Sequence, residues 1–301
     1  MPPARFLLPQ YWPAWLALGL TRALARLSYA RVLRIGAALG TLARYVLPGQ
    51  VRVARRNLEL CLPELDAAQR EQILRDHFRS LGMTVGETSL VWWSDGERIK
   101  SLARIEGLEH LDRALAAGKG AIMLAAHFTT LEIGAKIMAA TRPLHAVFKP
   151  TKNALISHYM VSRRDSHSEG VIAYDDIRGM VRALRGQGIV WYAPDQAYRR
   201  KGAEMVPFFG IPVATNTATS RLARLTGAAV LPYFVERLPD AAGYRVIVGP
   251  AFEDFPSADS VADTLRFHRL IEEQVRRVPD QYLWVHRRLK SVDPSDPDLY
   301  A

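Results

Sequence analysis

The sequence predicts an α/β protein: a mixed, largely parallel sheet covered by helices, preceded by a helical segment that lies against a membrane. Three observations lead there. From about residue 106, short apolar runs of strand length alternate with segments of helical period, the pattern of parallel strands joined by crossover helices. Hydrophobic residues make up 49% and charged residues 23% of the 301-residue chain, which supplies a full core and excludes wholesale disorder. Basic charge is concentrated at one end: residues 1–60 hold nine arginines, no lysine and a single acid, Glu59, a balance of +8, whereas the other 241 residues carry +2. A GC-rich genome explains why 33 of the 40 basic residues are Arg, but not why they cluster. One cysteine, Cys61, excludes an internal disulfide framework and a Cys-based zinc cluster.

The first element is the stretch Phe6 to Thr21, 16 residues without charge. A spanning helix needs about 20 apolar residues, and Pro9 and Pro13 shorten the helical part further. Arg22, Arg26, Arg31, Arg34 and Arg44 follow, interleaved with Leu27, Leu33, Leu39, Leu42 and Val46. This reads as an in-plane amphipathic region with Tyr11, Trp12 and Trp15 at interface depth; arginine stems snorkelling around one short span, or a helix capping the core, are the other readings of the same spacing. Basic charge there favours the cytoplasmic side of a membrane. A cleaved secretory signal is not expected, because the start lacks a basic cluster and a small-residue cleavage site. Residues 1–50 therefore form the membrane-associating segment, 51–290 the main domain and 291–301 a polar, Pro-containing tail expected to be loosely held.

Residues 51–105 read as helical, with an N-cap at Asp66 ahead of Ile73, Leu74, Phe78 and Leu81. Helices are expected at Leu108–Ala117, Leu131–Ala140, residues 153–164, Ile177–Arg185, Thr217–Thr226 and Val261–Arg277. Strands are expected at Ala121–Ala126, Leu144–Phe148, Val171–Tyr174, Ile189–Ala193, Val230–Val235, Tyr244–Val248 and, last, Tyr282–His286.

The sharpest chemical feature is His127-Phe-Thr-Thr-Leu-Glu132, a histidine directly after a strand with a carboxylate at the start of the next helix. Positions five apart on a helix point about 140° apart, so the two side chains meet only if His127 lies in the turn. A carboxylate on one imidazole nitrogen leaves the other as a base able to take a proton from a hydroxyl. A satisfied core histidine is the other reading of that spacing. Asp195 and Gln196 stand just past the end of Ile189–Ala193, the usual ligand edge of an open α/β sheet, or an ordinary turn. Phe208 and Phe209, between Pro207 and Gly210, form an apolar corner for an acyl chain, or a packed loop. Arg163 and Arg164 end a helix, where they serve its dipole or grip a phosphate. Other chemistries lack their residues: no Gly-x-Ser-x-Gly elbow, no Walker A loop, no dinucleotide glycine fingerprint and no HExxH-type metal spacing. No metal and no cofactor is expected. Nucleic-acid binding is not expected either, since the arginines interleave with Leu and Trp.

Taken in order, the motifs resemble the lipid A biosynthesis late acyltransferases, which add a lauroyl or myristoyl group. The matching pieces are His127 to Glu132, Lys149-Pro150 with Asn153, Arg164, Asp176-Ile-Arg-Gly, Val190 to Gln196, Val206 to Gly210, Ser220 to Ala228, and Gln281 to Arg288, over roughly residues 50–290. The resemblance implies a glycerolipid-acyltransferase-like fold, an acyl carrier protein as donor and a Kdo-bearing lipid A precursor as acceptor, in lipopolysaccharide biosynthesis at the inner membrane with the active domain on the cytoplasmic side. It implies that His127 deprotonates a hydroxyl on an acceptor chain, that Glu132 orients His127, that Arg164 binds phosphate or steadies the oxyanion, and that Asp195 and Gln196 shape the site; Lys149, Asn153, Phe208 and Phe209 complete its substrate contacts. Lys149 stands where the family often has Arg, Ala154 where Pro is usual, and Tyr174 where a basic residue is frequent, all of which bear on acceptor contacts and regiochemistry. Transfer to a lysophospholipid or another glycolipid is the competing enzymatic reading, and a catalytically idle lipid-binding membrane protein the competing reading of another class. The acidic carrier calls for a basic docking patch, for which Arg199, Arg200 and Lys201 are candidates.

Overall fold

Alternation of period 2 and period 3.6 along the chain becomes alternation of strand and helix in space. The computed structural model describes residues 3–165, 169–293 and 295–300. In chain order the elements are α1 (Trp12–Leu24), α2 (Tyr29–Val46), α3 (Pro48–Cys61), α4 (Ala67–Trp93), α5 (Gly96–Lys100), β1 (Ala103–Glu106), α6 (Leu108–Ala116), β2 (Ala121–Leu124), α7 (Leu131–Ala139) and β3 (His145–Phe148). They continue as α8 (Ala154–Asp165), β4 (Gly170–Ala173), α9 (Ile177–Arg185), β5 (Ile189–Tyr192), β6 (Ala203–Phe208), β7 (Ile211–Asn216), α10 (Ala218–Thr226), β8 (Ala229–Arg237), β9 (Tyr244–Val248) and α11 (Ser260–Arg277).

The main sheet has the order β1-β9-β8-β2-β5-β3-β4, parallel throughout except for the antiparallel β8–β9 pair. Its middle strand β2 is apolar on both faces and wholly buried, as a parallel strand with helices on either side must be. Two apolar clusters fill the two faces, one running from Leu74 and Phe78 to Trp284, the other from Val32 and Leu90 to Tyr244. Strands β6 and β7 form a separate antiparallel ribbon.

Helix α4 begins with a capping box: Asp66 accepts from the Gln69 N–H at 2.8 Å, and the Gln69 side chain accepts from the Asp66 N–H at 2.9 Å. Along its length it receives α2 at backbone contact. A Cβ added at Gly40 would come within 1.9 Å of the Phe78 carbonyl oxygen, and one at Gly82 within 2.1 Å of the Gly36 carbonyl oxygen, so only glycine permits this approach. The flank of α2 turned away from the core carries Ile35, Leu39, Leu42 and Val46 at helical spacing, all exposed, and α1 exposes Trp12, Leu16 and Leu20. Among the described residues no helix is long and apolar enough to cross a membrane.

Three expectations need correction. Tyr282–His286 is not a strand; only an isolated bridge joins Tyr282 to Phe128, and the segment instead straps the turn after β2. Val206–Gly210 is not a loop but the end of β6 and its turn into β7. The tail is not loose at its end: Tyr300 is buried, its hydroxyl donating to Asn57 Oδ1 at 2.6 Å and accepting from the Leu289 N–H at 2.8 Å.

Candidate active site

Strands β2 and β5 are parallel neighbours with Leu124 opposite Tyr192. The Ala125 N–H donates to the Tyr192 carbonyl at 2.9 Å and carries the ladder one residue further. His127 and Asp195 each stand three residues beyond that registered pair, so equal chain lengths deliver both side chains to one place at the carboxyl ends of the strands. There His127 makes two bonds to one carboxylate: its backbone N–H donates to Asp195 Oδ2 at 2.9 Å and its Nδ1–H to Oδ1 at 2.5 Å. An ionised carboxylate only accepts, so Nδ1 carries the proton and Nε2 is the basic nitrogen. Nε2 has no hydrogen-bond partner among the described residues, and the ring is 23% exposed while Asp195 is buried. Burial by itself raises the Asp195 carboxyl, but the His127 charge, its two hydrogen bonds and the Arg288 cation outweigh it and hold the group below the usual carboxylate range.

The turn that carries His127 is fixed from below. The Phe128 N–H donates to the Ala126 carbonyl at 2.8 Å, the Thr129 N–H to the Gln281 carbonyl at 2.7 Å, and the Leu283 N–H to the His127 carbonyl at 3.0 Å. The Phe128 ring meets Tyr282 edge-on at 5.3 Å. Ser80 and Thr129 share a hydroxyl bond of 2.9 Å, and Ser80 also accepts from Arg237, whose guanidinium forks onto both oxygens of buried Glu87 at 2.6 and 2.7 Å.

Behind Asp195 lies a second set of buried basic groups. Arg288 donates to the Ala214 carbonyl at 3.0 Å, to Thr215 Oγ1 at 2.8 Å and to His268 Nε2 at 3.2 Å. His268 accepts there because its Nδ1–H donates to the Pro207 carbonyl at 2.7 Å. Burial, then the Arg288 charge, pushes His268 down to about 4; burial, then the charge on His127, does the same to His286. Both imidazoles are therefore neutral near neutral pH.

The remaining expected residues divide. Glu132 occupies the first turn of α7, as its spacing requires, but the carboxylate on His127 Nδ1 is that of Asp195. Gln196 follows Asp195 in a half-buried bend. Lys149, just past β3, is exposed, with its ammonium 5.5 Å from the centroid of Tyr174; the Arg200 guanidinium lies 5.7 Å from that same ring. Asn153 caps α8, its Oδ1 accepting from the Leu155 and Ile156 N–H groups at 3.0 and 3.1 Å. Arg164 belongs to α8, but its side chain lies outside the described residues. Phe208 is buried against Phe209 and His268, and Phe209 and Gly210, at φ +50° and +75°, make the tight turn between β6 and β7. Sequence reasoning placed Arg288 at the end of the Gln281–Arg288 piece without giving it a role, and missed His268 and the Ser80–Glu87–Arg237 set. Among the described residues no group of three or more His, Cys, Asp or Glu is placed to hold a metal ion.

Fold and sequence together define an acyl-transferring enzyme. The family model for the bacterial lipid A biosynthesis acyltransferases matches residues 3–291, and the chain belongs to that family. It is 36% identical over 296 residues to the lipid A biosynthesis palmitoleoyltransferase of Escherichia coli K12, covering 98% of this chain and 96% of that one. It is 33% identical over 293 residues to the lauroyltransferase of the same organism, covering 97% and 96%. The myristoyltransferase of that organism is more distant, 27% identical over 296 residues with 97% and 91% covered. The chain is thus an acyltransferase of lipid A biosynthesis.

Proposed function

We propose that this enzyme moves a lauroyl or similar acyl group from acyl carrier protein to a hydroxyl on a hydroxyacyl chain of a lipid A precursor. The observation that carries the reading is the His127 ring, held by Asp195 through Nδ1 with Nε2 open at the strand ends. Nε2 takes the proton of the acceptor hydroxyl as its oxygen attacks the thioester carbonyl. The C–O bond forms, the tetrahedral oxyanion collapses, the C–S bond breaks, and the imidazolium returns its proton to the leaving thiolate. Asp195 stabilises the imidazolium in between. Glu132 remains a candidate catalytic group on the first turn of α7, and Lys149, Gln196 and Arg164 candidate substrate contacts, joined by Asn153, Phe208 and Phe209 from the family pattern.

Residues 1–50 act in this reading as the membrane-associating segment, 51–290 as the acyltransferase domain and 291–301 as its tail. The exposed apolar residues of α1 and α2, flanked by Arg22, Arg26, Arg31 and Arg34, support in-plane contact with an anionic membrane surface, here the cytoplasmic face of the inner membrane. Exposed Lys149, Arg199, Arg200 and Lys201 support docking of the acidic carrier.

The test is a product assay by mass spectrometry. Purified enzyme in detergent is given lauroyl- and myristoyl-loaded carrier with tetra- and penta-acylated Kdo-lipid A precursors, beside His127→Ala. A new acyl group made by the wild type and not by His127→Ala supports the reading, and fragment masses give chain length and position. No transfer from either donor to either acceptor overturns it.

A further inference from the structure

Along the carboxyl-terminal edge of the sheet, the order of strands fixes the order of side chains. On one side of His127, past β5, come Lys149 after β3 and Tyr174 after β4, with Arg199, Arg200 and Lys201 in the chain after β5. On the other side β8 runs parallel to β2 with Pro232 opposite Leu124 and continues five residues further to Arg237, so the β8–β9 turn also stands at this edge. That second side holds a cleft of about 650 Å³ between α2, α4, the β8–β9 turn and residues 279–281. Its volume is in the range of sites that take a ligand.

We infer that this cleft holds the glycolipid acceptor, while the acyl donor reaches His127 from the opposite, cationic side. The inference rests on the reading of the reaction given above.

The walls of the cleft are of two kinds. Leu33 and Ala37 of α2 face Ile73 and Met83 of α4 and give an apolar surface for an acyl chain. The mouth carries both hydrogen-bond donors and acceptors: Arg34 and Arg79, exposed and in no ion pair among the described residues, beside Asp76 and exposed Asp240. Arginine suits a phosphate and carboxylate suits sugar hydroxyls, so mixed charge above an apolar wall matches a phosphorylated sugar bearing acyl chains. An acidic carrier protein finds a charge-balanced mouth on this side and four exposed cations on the other. The cleft also adjoins the turn that carries His127. Two of its lining residues, Ser80 and Gln281, bond directly to Thr129, two residues past His127. One wall, α2, is the helix whose opposite flank exposes the apolar stripe Ile35, Leu39, Leu42 and Val46, so an acceptor lodged in the membrane lies next to this side of the molecule.

Steady-state kinetics of the full chain in detergent, with a tetra-acylated Kdo-lipid A precursor and lauroyl-carrier protein varied separately, tests this. Arg79→Glu and Asp240→Lys change exposed charges at the mouth, and Ala37→Trp fills the apolar part; unfolding temperature is read beside each. The expected result is a KM for the precursor raised about tenfold or more, with the KM for the carrier thioester within about twofold of wild type. An unchanged precursor KM in both charge variants, or a rise in the carrier KM instead, overturns the inference while the reaction itself stands. A binding measurement separates the two levels. Fluorescently labelled precursor is titrated into His127→Ala protein with and without Arg79→Glu. Loss of binding caused by Arg79→Glu supports the cleft even if the donor of the reaction proves to be another thioester, and equal binding to both proteins overturns it.

Discussion

His127 and Asp195, 68 residues apart in sequence, are joined twice: ring Nδ1 to Oδ1 at 2.5 Å and backbone N–H to Oδ2 at 2.9 Å. One carboxylate thus sets both the tautomer of the imidazole and the path of the chain that carries it. Asp195→Asn keeps the shape but presents an amide that can donate to Nδ1 and so move the ring proton to Nε2. The expected loss is in kcat, roughly a hundred- to ten-thousandfold, with little change in KM. Glu132→Gln measured beside it shows which carboxylate governs the base: a smaller loss than in Asp195→Asn is expected, and the reverse order would return the orienting role to Glu132.

Two buried histidines and a half-buried one make the fold sensitive to acid. Burial pushes His77, His268 and His286 down to about 4 from 6.5. Between those values the unfolded chain binds protons that the folded one does not, so stability falls as the pH drops from 6.5 towards 4 and levels off below. With three such groups the slope reaches about 4 kcal/mol per pH unit at most. Asp195, held low, adds its own loss only at the acid end, as pH falls below the ordinary carboxylate range. Urea unfolding at a series of pH values measures the slope, and His77→Gln is expected to lower it by about one proton's worth; an unchanged slope refutes the assignment.

Much of the fold was legible in sequence, and the failures have physical causes. Tyr244–Val248 and Ile177–Arg185 keep their expected bounds because each alternates or repeats with a clean period. Strand β1 overturns the end of the stretch 51–105 read as helical; it is a four-residue edge strand carrying Arg104 and Glu106, with no apolar run to mark it. The β6–β7 ribbon was hidden by Pro207 and Pro212, which argue against a strand; the structure puts the two opposite each other in a two-stranded ribbon. Tyr282–His286 alternates like a strand because Tyr282 and Trp284 are buried beneath the His127 turn. Of the site, the position of His127 could be read from the strand end, but the pairing with Asp195 depends on β5 lying beside β2, which no local pattern encodes.

The contact between α2 and α4 is set by glycines. A methyl group at Gly40 would overlap the Phe78 carbonyl, 1.9 Å from the added carbon, and backbone cannot move aside as a side chain can. Gly40→Ala is expected to cost about 1–3 kcal/mol, the range for forced overpacking, seen as a drop in unfolding temperature. Gly19→Ala, where nothing lies within 4 Å, is the control and should be neutral or stabilising.

Glu87 is the anchor of a buried polar set. Its carboxylate accepts from Arg237 at 2.6 and 2.7 Å and from the Tyr244 hydroxyl at 2.6 Å, and Arg237 in turn reaches Ser80 beneath the His127 turn. Glu87→Gln leaves the Arg237 guanidinium buried without a counter-charge. A loss of about 3–5 kcal/mol in chemical denaturation is expected. Glu87→Gln with Arg237→Met removes both charges and should recover part of that loss; no recovery would mean that the cost lies in packing rather than charge.

Lys136 is the opposite case, a buried ammonium with no hydrogen-bond partner among the described residues. It sits one turn beyond Glu132 on α7, and burial lowers its pKa to about 8 from 10.5, with Asp95 partly offsetting the effect. Between those two values the unfolded chain holds the proton more firmly, so this group makes the protein more stable as pH rises from 8 to 10.5. Replacing it with an apolar side chain of similar length removes the desolvation cost at every pH. Lys136→Met is therefore expected to raise stability at pH 7 by about 1 kcal/mol or more and to flatten the alkaline limb of the stability profile. Thermal unfolding from pH 7 to 10 reads both effects together. A destabilised variant, or an alkaline limb that keeps its slope, would show that the ammonium is stabilised where it lies.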